Sequence, residues 1–335
     1  MIEGGERPTN VGDAPAQEAL DASPREYSVL VSTHEREAAP AAAARDARLP
    51  EIDWSVLPPG AVRFDFAAPS GTLAAMSLGD PAHPRVVLVP GITGSKEDFT
   101  LLAPLLVEAG YFVESYDLAG QYESHLAGPP IGQRFTQDLF VADLEAFLRA
   151  GAPAHVLGYS FGGILAGLVA SAHPSLVRSL TFHTTPPLSG QAFRGVRTIG
   201  WFSGWVTERQ GAGLMIWGIR TNQNRVGPNR LAFVRERFDL TRRSSVDDAI
   251  GLMRRTPDLV PGLSALSIPK LVVTGDHDLW PTPLHAAFAS SIGAAFAVYR
   301  TGHSPCETAP HQLTEDLLSL FATREAGDDP HDGAA

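Results

Sequence analysis

Between residues 63 and 322, short apolar runs alternate with longer segments whose apolar positions recur every three or four residues. RFDFAA (63–68) and TLAAMSL (72–78) flank Pro69-Ser70-Gly71 and predict a β-hairpin. RVVLVP (85–90) is apolar almost throughout, as expected of a strand buried on both faces. SKEDFTLLAPLLVEAG (95–110) then predicts an amphipathic helix closed by Gly110. The rhythm continues with a strand in YFVESYDL (111–118), a helix in 136–151, a strand in AHVLGYS (154–160), a helix over 161–173 and a sixth strand in VRSLTFH (177–183). It resumes at KLVVTGD (270–276), followed by a helix near PLHAAFASSI, a strand in AAFAVY (294–299) and a last helix in QLTEDLLSLFA. Such alternation predicts an α/β fold: a mostly parallel central sheet with helices on both faces.

Two kinds of segment break this pattern. Residues 1–50 and 326–335 are rich in Ala, Pro, Gly and charged residues without apolar periodicity. They bury too little apolar surface to offset chain entropy and are expected to be a disordered extension and a disordered tail. Residues 186–265, after the sixth strand, contain helix-like pieces that do not belong to the strand–helix alternation, and are expected to form a helical cap or lid. The core would then comprise 51–185 and 266–325. Trp201, Phe202, Trp205, Met215 and Trp217 make the insertion rich in large apolar side chains. At helical spacing such residues more often pack among themselves than line a pocket, but Trp205 and Trp217 are the candidates for substrate contact.

Composition narrows the function. The 335 residues carry 37 acidic against 26 basic side chains, a formal net charge of -11, which argues against a nucleic-acid partner. One cysteine, Cys306, cannot form an internal disulfide. No stretch approaches a membrane span, and the first residues lack the basic-then-apolar pattern of a secretion signal. The expectation is a cytoplasmic monomer or homodimer acting on a small molecule, without a membrane partner. No Cys/His group has zinc spacing and no glycine-rich loop has phosphate-binding form, so neither a metal nor a cofactor is expected.

Candidate chemistry starts at Gly158-Tyr159-Ser160-Phe161-Gly162. The G-x-S-x-G pattern alone is weak, but here an apolar strand ends in it and a helix rich in small residues begins at it. A strand-to-helix turn this tight needs glycines on either side and lifts the serine hydroxyl above the sheet, at the positive end of the helix.

Several ordered motifs together resemble the α/β-hydrolase fold family from about Arg63 to Ala322. Pro90-Gly91-Ile92-Thr93-Gly94-Ser95 is similar to the family's His-Gly-x-x-Gly-Ser loop, with proline where many relatives have histidine. Asp117 to Ser124 resembles its D-x-x-G-x-G-x-S turn, with Tyr122 in place of a glycine, which implies a different turn away from the chemistry. Gly275-Asp276-His277-Asp278 and Gly302-His303-Ser304-Pro305 follow the nucleophile in the family's Ser, Asp, His order.

The resemblance implies a serine hydrolase acting on a moderately sized, apolar carboxylic ester, thioester or lactone through an acyl-enzyme. Other chemistry on the same triad remains as the alternative: carbon–carbon hydrolysis, acyl transfer or perhydrolysis. Further from it lies a non-catalytic binding protein on the same fold. Ser160 would be the nucleophile, activated by His303 as base. Asp278 would orient His303 and stabilise its cation, with Asp276 as competitor. The oxyanion donors would be the backbone N–H groups of Ile92 and Phe161. Asp117 is read as a turn stabiliser, His183 and His277 as structural histidines, and Cys306 as packing.

Overall fold

The computed structural model describes residues 40–196 and 227–325. Its frame is one eight-stranded sheet. The strands are β1 (Val62–Ala68), β2 (Gly71–Leu78), β3 (Arg85–Val89), β4 (Phe112–Tyr116), β5 (Ala154–Tyr159), β6 (Val177–His183), β7 (Lys270–Gly275) and β8 (Ala295–Tyr299), in the spatial order β1-β2-β4-β3-β5-β6-β7-β8. β1 and β2 form the expected hairpin, β2 runs antiparallel to β4, and every later pairing is parallel. All residues of β3, β5 and β7 are buried, which is why they read as near-continuous apolar runs.

Around the sheet the helices are α1 (Pro40–Asp46), α2 (Ala103–Glu108), α3 (Gln137–Arg149), α4 (Phe161–Ala172), α5 (Pro228–Leu240), α6 (Arg243–Met253), α7 (Val260–Ser264), α8 (Thr282–Ser291), α9 (Pro305–Thr308) and α10 (Pro310–Glu325). Leu144, Phe147, Leu165, Val169, Phe288 and Ile292 place α3, α4 and the end of α8 in one apolar cluster. Leu106, Leu313, Leu317 and Phe321 place α2 and α10 in the second, on the other side. The α/β architecture therefore has a core on each face of its sheet.

Two expectations differ in detail. The single helix over 95–110 is a 3₁₀ turn (Lys96–Phe99) followed by the short α2. Pro104 lacks an N–H and so is tolerated only in a first helical turn, which forces a restart there. The expected disordered extension reached residue 50, yet residues 40–46 are helical. Asp46 is buried and accepts hydrogen bonds from His311 N (2.9 Å), His311 Nδ1 (2.7 Å), Gln312 N (3.1 Å) and Gln312 Nε2 (2.9 Å), capping α10 from the far end of the sequence. Asp46 was missed because a cap supplied from elsewhere in the chain leaves no local pattern. The rest of that segment, 1–39, and the tail 326–335 lie outside the described residues.

Of the segment 186–265, residues 197–226 also lie outside the described residues, and with them Trp205 and Trp217. The part that follows is tied to the core. Val246, Ala249, Ile250 and Met253 of α6, with Leu259 and Leu263 beside and within α7, join the cluster that includes α4.

Candidate active site

β5 ends at Tyr159 and α4 begins at Phe161, leaving Ser160 as the hinge between them. Ser160 has φ 51° and ψ -116°, a left-handed conformation that costs a non-glycine residue roughly 1–3 kcal/mol. It is held there by contact and hydrogen bonding. Ser160 N donates to His183 O (2.8 Å), and Gly163 N donates to Ser160 O (3.0 Å). The glycines are required sterically. A Cβ on Gly158 would lie 2.4 Å from Gly163 Cα, and one on Gly162 would lie 2.6 Å from the carbonyl oxygens of both Val89 and Pro90.

The loop after β3 sits against this elbow, since a Cβ on Gly91 would meet Ser160 Cβ at 3.1 Å. Gly94 N donates to Gly91 O (3.0 Å), closing a tight turn around half-buried Ile92. Thr93 takes φ 60° and donates its N–H to Gln121 Oε1 (2.7 Å). Phe161, the first residue of α4, has a backbone N–H with no intrahelical acceptor, at the positive end of the helix. Ile92 and Phe161 thus flank the serine from two chain segments.

His303 follows β8, and its Nδ1 is hydrogen-bonded to Asp278 Oδ1. Asp278 is buried at the end of β7, its own N–H donating to Gly275 O (3.1 Å). Asp276 points elsewhere: it pairs with His277 Nδ1 (2.6 Å), and both side chains are exposed. Burial pushes the Asp278 carboxyl up, but the charge of His303 and hydrogen bonds from His285 and His303 outweigh it and hold the group well below the usual carboxylate range. The elbow and the histidine loop are joined directly. Tyr159 Oη lies 2.8 Å from Ser304 Oγ, and the Tyr159 and His303 rings are 5.5 Å apart.

The end of β6 supports both loops. Thr184 Oγ1 donates to His303 O (2.9 Å), and His183 Nε2 accepts from Cys306 N (3.0 Å). Burial, then the charge of His303, pushes His183 down to about 3, so it is a neutral structural acceptor. His277 is exposed and lies at the surface of the Asp276 turn. The Cys306 thiol is pushed well above its ordinary value by burial, which keeps it protonated.

A buried ionic network, absent from the sequence reading, surrounds the turn after β3. Asp117 Oδ1 accepts from Lys96 N (2.9 Å) and Oδ2 from Lys96 Nζ (2.9 Å), with all the side-chain atoms buried. Asp98 accepts from Arg230 Nη2 (2.6 Å) and from Arg237, both on α5, and Arg230 also grips Glu307 of α9. One guanidinium thus bridges the segment after the Ile92 turn and the segment after His303. Tyr122, expected to remodel its turn away from the chemistry, takes φ 43°, the region glycine enters without strain, so a glycine-type backbone is kept. Its neighbour Gln121 reaches the Ile92–Thr93 turn. Gln121 was missed because its role depends on a contact 28 residues away.

Among the described residues no three His, Cys, Asp or Glu side chains are grouped to hold a metal ion, and no helix is long and apolar enough to cross a membrane. A model of the alpha/beta hydrolase fold matches residues 84–280. A human protein described as serine hydrolase-like is 29% identical over 131 residues, which is 38% of this chain and 63% of that protein. The match thus spans less than two thirds of that relative's length. A hydrolase from Pseudomonas aeruginosa PA01 superposes with a TM-score of 0.64 at 22% identity, covering 77% of this chain and 98% of that one. A putative aryl esterase from Burkholderia cenocepacia gives 0.62 at 18% identity, covering 79% and 100%. At these identities the two superpositions show the shared fold.

Proposed function

The chain belongs to the alpha/beta hydrolase fold family, and on that premise we propose that it is a serine hydrolase cleaving a carboxylic ester of moderate size and apolar character. The observation that carries the reading is the hydrogen-bonded Asp278–His303 pair, tied through Tyr159 and Ser304 to the strained Ser160 elbow.

With Asp278 on Nδ1, His303 presents Nε2 as the base. It takes the proton of Ser160 Oγ as that oxygen attacks the ester carbonyl. Negative charge gathers on the former carbonyl oxygen, where the N–H groups of Ile92 and Phe161 receive it, each donor being worth about 10²–10³ in rate. The carbon–oxygen bond to the alcohol then breaks, and the alcohol leaves with the proton from His303. Water repeats the sequence on the acyl-enzyme, releasing the carboxylic acid and restoring Ser160. The segment 186–265, including Trp205 and Trp217, would serve as the cap that gives the acyl group its apolar surroundings. The esterase among the structural relatives accords with this chemistry.

The test is labelling by a fluorophosphonate combined with a panel of acetyl to octanoyl esters. Labelling and turnover that both vanish in Ser160→Ala are expected. A folded Ser160→Ala protein that hydrolyses the panel as fast as the parent chain would overturn the assignment.

A further inference from the structure

We propose that His285 is a positioning residue of the site, a second imidazole that clamps Asp278 from the side opposite His303. The inference rests on the serine-hydrolase reading and extends it by a residue outside the three expected ones.

Asp278 makes two imidazole contacts. Its Oδ1 bonds His303 Nδ1, and its Oδ2 lies 2.7 Å from His285 Nε2. Thr274 Oγ1 reaches the same Oδ2 only at 3.4 Å, at the margin of a hydrogen bond. His285 is fully buried on α8, seven residues after Asp278, and that connection is stiffened by Pro281 and Pro283. Its neighbours pin it further: Trp280 Nε1 donates to Ala192 O (2.8 Å), and Leu284 packs with Leu188, Val196 and Trp280.

A carboxylate offers only acceptors, so the 2.7 Å contact requires the proton of His285 on Nε2. Among the described residues Nδ1 is buried without a hydrogen-bond partner. An orphaned buried acceptor is destabilising, and a leucine of similar size would carry no such cost. A histidine placed here, beside Asp278, points to a role for the other nitrogen.

That role has two parts. With Oδ2 anchored, the carboxylate cannot rotate about its Cβ–Cγ bond, so Oδ1 stays aimed at His303 as the imidazole gains and loses its proton. The donated N–H also draws charge from the carboxylate. Asp278 stays ionised in a dry site, and its hold on the His303 cation is tempered. The other groups around His303 are His183 from β6, Tyr159 from β5 and Cys306 from α9, with Asp98, Glu307 and Arg230 beyond them. Among the described residues no hydrogen bond, ion pair or ring contact joins any of these to His285, whose polar partner is Asp278, so a change at His285 acts on the pair through that contact.

Two variants and one spectrum test this. In the parent protein, ¹⁵N shifts should show His285 protonated on Nε2 and bare on Nδ1; the opposite tautomer would overturn the proposal. In His285→Leu, kcat should fall about tenfold to a hundredfold with KM little changed, the loss of one hydrogen bond to a charged group. The acid limb of kcat/KM should move to higher pH, because an undonated carboxylate is more basic and favours the imidazolium opposite. His285→Gln, whose amide N–H can reach the same oxygen, should recover most of both. A lowered melting temperature in both variants, with kcat and acid limb unmoved, would leave His285 a packing residue and refute the proposal. The low-field proton resonance between Asp278 and His303 reports the pair without any substrate. If the chain failed to hydrolyse esters, a shift of that resonance in His285→Leu but not in His285→Gln would still support the clamp, whereas no shift would refute it.

Discussion

Replacing Arg230 by methionine, which keeps most of its length and none of its charge, should destabilise the protein severely, and the structure says where the cost falls. Arg230 is buried, donates Nε to Glu307 Oε2 (2.9 Å) and Nη2 to Asp98 Oδ1 (2.6 Å), and stacks 4.5 Å from the Trp54 ring. Asp98 would retain Arg237 and the Ser95 N–H. Glu307 would lose its direct ion-pair partner, and burial already pushes its carboxyl up. Stripping one partner from a buried pair costs about 3–5 kcal/mol. At about 2 °C per kcal/mol for a domain this large, the melting temperature should drop by roughly 6–10 °C. Glu307→Gln placed on top should recover much of the loss, because a neutral amide does not need the cation. The sign with pH follows from the same group. A carboxyl whose folded value is raised stabilises the fold below its unfolded value and loses that contribution as pH rises through the folded one. The deficit of Arg230→Met should therefore be larger at pH 8 than at pH 5. Urea unfolding of the four proteins of the double-mutant cycle at both pH values measures all of this. A single-variant loss under about 1 kcal/mol, or strict additivity with Glu307→Gln, would refute the reasoning.

Three further outcomes are expected. Asp278→Asn should lower kcat by about 10⁴, whereas Asp276→Asn, exposed and paired with His277, should change it only a few-fold; the reverse order in ester hydrolysis would reassign the acid. Asp143 is buried, accepts from Ser70 N (2.9 Å) and is pushed by burial up to about 6, so its contribution to stability is complete below about pH 4 and lost as pH rises through 6. Asp143→Asn should match the parent near pH 4 and exceed it by up to about 3 kcal/mol at pH 8; equal melting temperatures at both pH values would contradict this. Gly163→Ala would set its Cβ 1.9 Å from Thr185 Oγ1 and 2.9 Å from Gly158 O, and should cost about 1–3 kcal/mol, with Thr185→Ala relieving part of it in thermal melts.

The fold was legible because its strands announce themselves: RVVLVP and AHVLGY are apolar except for Arg85 and His155, as expected of strands buried on both faces. The candidates Ser160, Asp278 and His303 stood out for a related reason, since each follows a strand in a glycine-containing loop whose short spacing is visible in one dimension. His285, Gln121 and Arg230 gave no such signal. His285 sits inside an ordinary helical pattern, Gln121 acts on a turn 28 residues away, and Arg230 reads as a solvent-facing charge on a helix, though it is buried between Asp98 and Glu307. Contacts that close only after folding are not written in local periodicity.

The cap that Asp46 places on α10 sets an order on how the polypeptide is assembled during translation. The two partners are 265 residues apart, so at about 5–20 residues per second the ribosome makes His311 roughly 15–50 s after Asp46. Until then α1, a helix of seven residues, is too short to persist in water by itself. Residues 40–46 must therefore stay open to proteases and chaperones while the sheet is already being built, and they close only when α10 arrives. Resistance of the Ala43–Ala47 stretch to a pulse of protease during synthesis would mark the moment at which α10 docks against α1.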